Sequence, residues 1–143
     1  MKRFFCPYCN YELTVLDGTL FKLKGVLQSD FFDCTAMFHL PAEPGKYGSI
    51  VEPHVVVKEG AKVVFHCPDC KCNHNFTTHY DDNLAEVKML DEDGTEYVAV
   101  FSCIHGKHAT FLISYTEKTI QETFGEDVDE YIHDFDDEIN FFW

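Results

Sequence analysis

Phe5-Cys6-Pro7-Tyr8-Cys9-Asn10-Tyr11-Glu12-Leu13-Thr14 and Phe65-His66-Cys67-Pro68-Asp69-Cys70-Lys71-Cys72-Asn73-His74-Asn75-Phe76-Thr77 follow one plan. Each brings an apolar run into Cys-Pro-x-Cys, passes through small or polar residues, and leaves through an aromatic before Thr. Proline presets its own φ for a turn, and Asn tolerates the left-handed conformation that tight turns need. The pattern predicts two knuckles, each a strand entering a turn and a strand leaving it. A Cys-x-x-Cys turn lets two sulfurs reach one ion, and two such turns complete a tetrahedron of Cys6, Cys9, Cys67 and Cys70. Four thiolates at ~2.3 Å suit Zn²⁺, one ion per chain, and a closed sulfur shell leaves no place for water. Such a site is structural, not hydrolytic.

Working outward from the knuckles, 57 residues separate Cys9 from Cys67. Tyr11–Leu16, Thr19–Leu27, Phe31–Leu40, Ile50–Lys58 and Lys62–His66 are rich in β-branched, aromatic and Leu residues and read as strands. Asp17-Gly18 marks a hairpin, Pro41 to Gly48 a loop, and Glu59-Gly60 a turn. Beyond the second knuckle, Leu84–Leu90, Glu96–Cys103 and Ala109–Tyr115 read as a β-meander, with turns at Asp91-Glu92-Asp93-Gly94 and His105-Gly106-Lys107. Ile120, Phe124, Val128, Tyr131, Ile132, Phe135 and Ile139 then recur at three or four residues. That period predicts an amphipathic helix, with Thr119-x-x-Glu122 as its capping box. The expected fold is mainly β (β-rich α+β): a single domain over 1–143, with a β insertion between the knuckles, a meander, and an acidic C-terminal helix and tail over 117–143.

Composition narrows the function. An apolar fraction of 45% with 14 Phe and 7 Tyr supports a packed core. No run approaches the ~18 apolar residues that span a bilayer. Met1-Lys2-Arg3-Phe4-Phe5 has the charge of a signal-peptide start but no apolar stretch behind it, so a cytoplasmic location is expected. In that compartment seven cysteines, four of them in Cys-x-x-Cys pairs, point to metal and not to disulfides. The net charge is −14, and the segment 117–143 holds ten Asp/Glu against one Lys. Direct nucleic-acid binding is disfavoured, since it depends on Lys/Arg neutralising phosphates, and so is an anionic membrane surface. The charge fits a protein partner with a basic surface. It also permits an acidic inhibitor that imitates nucleic acid, although no spacing supports that role.

The knuckles resemble the zinc-ribbon superfamily, and more narrowly bacterial proteins with two Cys-Pro-x-Cys knuckles. The resemblance covers the knuckles and their flanking strands. It implies zinc held by Cys6, Cys9, Cys67 and Cys70 between two hairpins, in a recognition or scaffolding role. The wide separation and the replacement of the usual following glycines by Asn10 and Lys71 depart from the common ribbon pattern. A rubredoxin-like iron site fits the same ligands and would make the chain an electron-transfer protein, because all-sulfur tetrahedra suit both ions.

Two further groups of residues are candidates. Cys72, His74, Cys103, His105 and His108 are donors that could hold a second metal, yet their spacing is not specific, and a buried thiol with polar turn histidines is the favoured reading. The segment 134–143 alternates acids with large apolar groups and resembles the acidic tip of single-stranded-DNA-binding proteins. That likeness implies docking through Phe135, Asp136, Asp137, Ile139, Phe141 and Trp143; the alternative folds the last rings back onto the domain. No phosphate-cradling Gly-rich loop, Gly-x-Ser-x-Gly or His-Glu-x-x-His is present. The expectation is a non-catalytic zinc protein acting as an interaction module or a small subunit of a larger assembly.

Overall fold

The computed structural model describes residues 2–27, 34–52, 56–69, 71–79 and 81–132. Among the described residues, ten strands form two antiparallel sheets. The first sheet takes β1 (Arg3–Phe5), β7 (Leu84–Leu90), β8 (Glu96–Ser102), β9 (Thr110–Ser114) and β10 (Ile120–Phe124), in that order. The second runs β2 (Thr14–Val15), β3 (Leu20–Leu27), β4 (Cys34–Pro41) and β5 (Ile50–Glu52), with β6 (Val63–His66) also on β3. β4 pairs along the whole of β3, whereas β2 takes Leu20 and Phe21 and β6 takes Lys24 to Leu27. The β-rich stretch between the knuckles is therefore one sheet, and the meander after the second knuckle is the other.

Period-2 burial explains the assembly. Along β3, Phe21, Leu23 and Gly25 are buried while Lys22 and Lys24 face outward. Phe4, Phe38, Phe65, Val87, Met89 and Ala99 join them in the core between the sheets. Ring contacts cross that interface. Phe4 of β1 stacks on Phe21 of β3 at 4.3 Å, and Phe101 of β8 meets Phe21 at 6.1 Å and Phe65 at 5.7 Å. Such pairs add about 0.5–1.5 kcal/mol each beyond the area they bury. Gly25 admits this packing, because a Cβ there would lie 2.4 Å from the Phe38 ring.

The predicted strands and the meander form, with bounds shifted by a few residues. Asp17 (φ 56) and Gly18 (φ 83) make the β2–β3 turn in the left-handed region that their residue types tolerate. The predicted helix does not form over 120–132. Ile120 to Phe124 pair with β9 as a fifth strand, Gly125 turns at φ +103, and a short 3₁₀ turn, Val128–Glu130, follows. A register shift between Ile120 and Glu122 splits the segment's apolar residues: Ile120 packs with the outer-face cluster and Phe124 against the core between the sheets. Gly125 forbids continuation: a Cβ there would lie 2.1 Å from the His108 carbonyl oxygen. Thr119 does not cap a helix but accepts the Ser114 amide through its carbonyl, closing the β9–β10 hairpin. Ile120, Val128, Tyr131 and Ile132 instead cover the outer face of the first sheet, over Leu84, Val100, Phe111 and Ile113. Residues 133–143, which contain the rest of the expected helix and the docking residues Phe135, Asp136, Asp137, Ile139, Phe141 and Trp143, lie outside the described residues.

Candidate metal centre

Each sheet contributes one knuckle. Cys6 follows β1 of the first sheet and Cys67 follows β6 of the second. In the first knuckle the Cys6 amide donates to the Tyr11 carbonyl at 2.9 Å, and the Asn10 amide to the Cys6 carbonyl at 3.0 Å. An isolated bridge between Phe5 and Glu12 closes its base, where the Arg3 guanidinium also donates to Glu12 at 2.8 Å and 3.0 Å. In the second knuckle the Cys67 amide donates to the His74 carbonyl at 2.9 Å, with a bridge between His66 and Asn75. Asn10 (φ 63) and Asn73 (φ 49) take the left-handed turn in each. The two knuckles are thus the same device, the second carrying two extra residues before its cysteine-asparagine pair.

That alignment places Cys72, not only Cys67, beside the first knuckle. The Sγ atoms of Cys6, Cys9, Cys67 and Cys72 all lie within 4.8 Å of one another. Cys6 and Cys72 approach to 3.8 Å, and Cys9 and Cys67 to 3.7 Å. A tetrahedron with metal–sulfur bonds of ~2.3 Å has sulfur–sulfur edges of about 3.8 Å, whereas a disulfide is ~2.05 Å. All four cysteines are free thiols, and their spacing is that of a metal cage. Amides of Tyr8 and Cys9 point at Cys6 Sγ from 3.4 Å and 3.5 Å, the orientation that stabilises a thiolate.

Electrostatics favour a bound cation. Burial pushes the Cys6 and Cys67 thiols up. At Cys9, burial acts in the same upward direction, but the Tyr11 amide and the neighbouring thiols outweigh it and draw the group down. Buried thiolates clustered this closely need a positive charge among them, which a divalent ion supplies as it displaces the protons. Cys6 and Cys67 are buried, whereas Cys9 is exposed and Cys72 half-buried. Tyr8 stacks on His74 at 4.2 Å across the two knuckles and lies 6.4 Å from the buried Phe76 ring.

Of the predicted ligands, Cys6, Cys9 and Cys67 come together, and Cys70 lies outside the described residues. Cys72, assigned in the sequence to a second site, belongs to this group instead. Its signal was present: Cys72-Asn73 repeats Cys9-Asn10, and four residues between Cys67 and Cys72 fall within the usual ligand spacing. The other second-site candidates are dispersed. His74 is a stacking partner, Cys103 is 2% exposed in the core, His105 is exposed, and His108 stacks on Tyr47 at 4.2 Å with Nδ1 3.0 Å from Glu126. Among the described residues, no second group of three or more such donors gathers. No described helix is long and apolar enough to cross a membrane. No family model matches the chain, and comparison with curated proteins and with solved structures finds no match either.

Proposed function

We propose that this chain is a non-catalytic zinc protein in which one structural Zn²⁺, held by Cys6, Cys9, Cys67 and Cys72, clamps the two sheets together. The observation that carries the reading is the approach of four sulfurs, all within 4.8 Å of one another, drawn from knuckles on different sheets. When bound, the ion supplies charge compensation and a cross-link; a shell filled by four thiolates offers no open position for substrate. The residues around it do structural work. Asn10 and Asn73 set the turns, and the Tyr8 and Cys9 amides orient Cys6 Sγ.

The domain then serves as an interaction module or a small subunit of a larger assembly, with a partner that presents a basic surface. Two observations support this. The net charge is −14, and Tyr8 and Tyr11 stand 50% and 40% exposed on the first knuckle, where a rigid turn presents them. Exposed aromatics on a rigid frame are the residue class that anchors protein interfaces. Elemental analysis of the purified chain tests the metal: one zinc per chain is expected. A red sample bleached by dithionite would assign iron and electron transfer instead. Copurification with wild-type and Tyr8→Ser/Tyr11→Ser chains tests the module, and an unchanged partner list would reject a knuckle-centred interface.

A further inference from the structure

A cleft of about 270 Å³ opens between the sheets, at the end where the turn from β8 to β9 faces the loop after β4. Its floor is aromatic: Phe21, Phe38, Phe65 and Phe101 line it, over Val63 and Ala99. These rings brace one another. Phe38 meets Phe65 edge-on at 5.5 Å, and Phe101 touches both Phe65 and Phe21. The cavity is therefore formed in advance, which spares a ligand the cost of ordering side chains. Its size falls just below the ~300–1,000 Å³ of common small-molecule sites, room for a two- or three-ring compound.

The rim decides the charge of that compound. Lys46 faces Glu43 at 2.9 Å, Lys107 faces Glu130 at 2.5 Å, and His108 faces Glu126 at 3.0 Å. Both lysines and His108 already face a carboxylate of the same chain, and the molecule carries −14 overall. An anion entering here would meet no uncompensated lysine and a repelling field. At the mouth stand Tyr47, its ring flat against His108, and the hydroxyls of Tyr47 and Thr110, 3.3 Å apart. They offer hydrogen bonding to one neutral polar group.

We infer that this cleft binds an uncharged, planar aromatic small molecule, with its rings on the phenylalanine floor and one neutral donor or acceptor at the Tyr47–Thr110 pair. The site is separate from the metal cage, although strands β1 and β6 serve both. Phe65 lies two residues before Cys67 and so projects from the same face of its strand. The inference goes beyond the structural-metal reading and does not depend on which ion is held.

The test titrates the full chain with N-phenyl-1-naphthylamine, a neutral fluorescent probe, and with 8-anilino-1-naphthalenesulfonate, which has the same ring body plus a negative charge. One saturable site with blue-shifted emission is expected for the neutral probe, with the sulfonate at least ~10-fold weaker, a ratio that about 1.4 kcal/mol produces. Ala99→Leu, which fills the floor, should weaken the neutral probe by ~10-fold or more, while Tyr115→Ala, outside the cleft, should leave it unchanged. Because a larger side chain at Ala99 tests folding as well as binding, amide chemical shifts of the wild-type chain provide the second measurement. Perturbations should concentrate at 38–49 and 99–110. Unsaturable binding, equal affinity for the two probes, or shifts scattered over both outer sheet faces would each overturn the inference.

Discussion

Cys9 Sγ lies 3.7 Å from Cys67 Sγ, although the first cysteine follows a strand of one sheet and the second follows a strand of the other. Within the first sheet β1 pairs with β7 over three residues, from Arg3–Leu90 to Phe5–Lys88, and Phe4 stacks on Phe21 of the second sheet. An ion held by the cysteine group would add a cross-link between the end of β1 and the end of β6. Cys67→Ala should therefore abolish metal binding and unfold or strongly destabilise the domain, since structural zinc contributes ~10 kcal/mol to small metal-dependent folds. Thermal melting with and without a chelator measures this. Near-wild-type melting of the variant would show that the apolar core organises the fold without the ion.

The identity of the fourth ligand is tested separately. Cys72→Ser should lose stoichiometric metal, because Cys72 Sγ closes the tetrahedron 3.8 Å from Cys6 Sγ. Cys34→Ser should retain it, since Cys34 begins β4 and stands outside the cysteine group. Elemental analysis of both variants at matched concentration decides the matter, and a fully loaded Cys72→Ser chain would remove Cys72 from the ligand set.

Much of the architecture was legible in the sequence because β-sheets announce themselves by alternation and by turn residues. The meander over β7 to β9 and the hairpin at Asp17-Gly18 carried both signals. The knuckles were legible too, down to the left-handed Asn10. Two features were less so. Cys67-Pro68-Asp69-Cys70 copies the first motif in its cysteines and proline and gave Cys70 as the fourth ligand, a position outside the described residues. The asparagine directly after Cys72, matching Cys9-Asn10, is the signal for the group that the described residues form. The period from Ile120 onward read as a helix because periodicity cannot foresee a bulge: the register shift between Ile120 and Glu122 lets a strand on β9 send Ile120 and Phe124 to opposite faces.

Gly125→Ala separates those two readings of the segment by sign. In a helix the substitution would stabilise by about 1 kcal/mol. In this structure Gly125 has φ +103 and no room for a Cβ against the His108 carbonyl and the Tyr47 hydroxyl. A destabilisation of ~2 kcal/mol or more is expected, combining backbone strain with overpacking. Denaturant titration gives the answer, and any gain in stability would mean that the segment is helical after all.

Cys103 gives the alkaline behaviour of the fold a specific origin. Burial pushes its thiol up to about 12, with Lys62 opposing and Asp81 adding to the rise. An unfolded cysteine ionises near ~8.5, so between that pH and about 12 the unfolded chain releases a proton that the folded chain keeps. Stability from this group is complete below ~8.5 and is lost as the pH rises toward the folded value. Cys103→Ala removes the titration. Its unfolding free energy should be lower than wild type at pH 7, from the smaller side chain in the core, yet fall less steeply above pH 9. The same burial predicts that iodoacetamide leaves Cys103 unmodified in the native protein while the partly exposed Cys34 reacts. Parallel alkaline slopes for the two proteins would mean that another group governs the limb, and native alkylation of Cys103 would mean that the core opens far more readily than its packing implies.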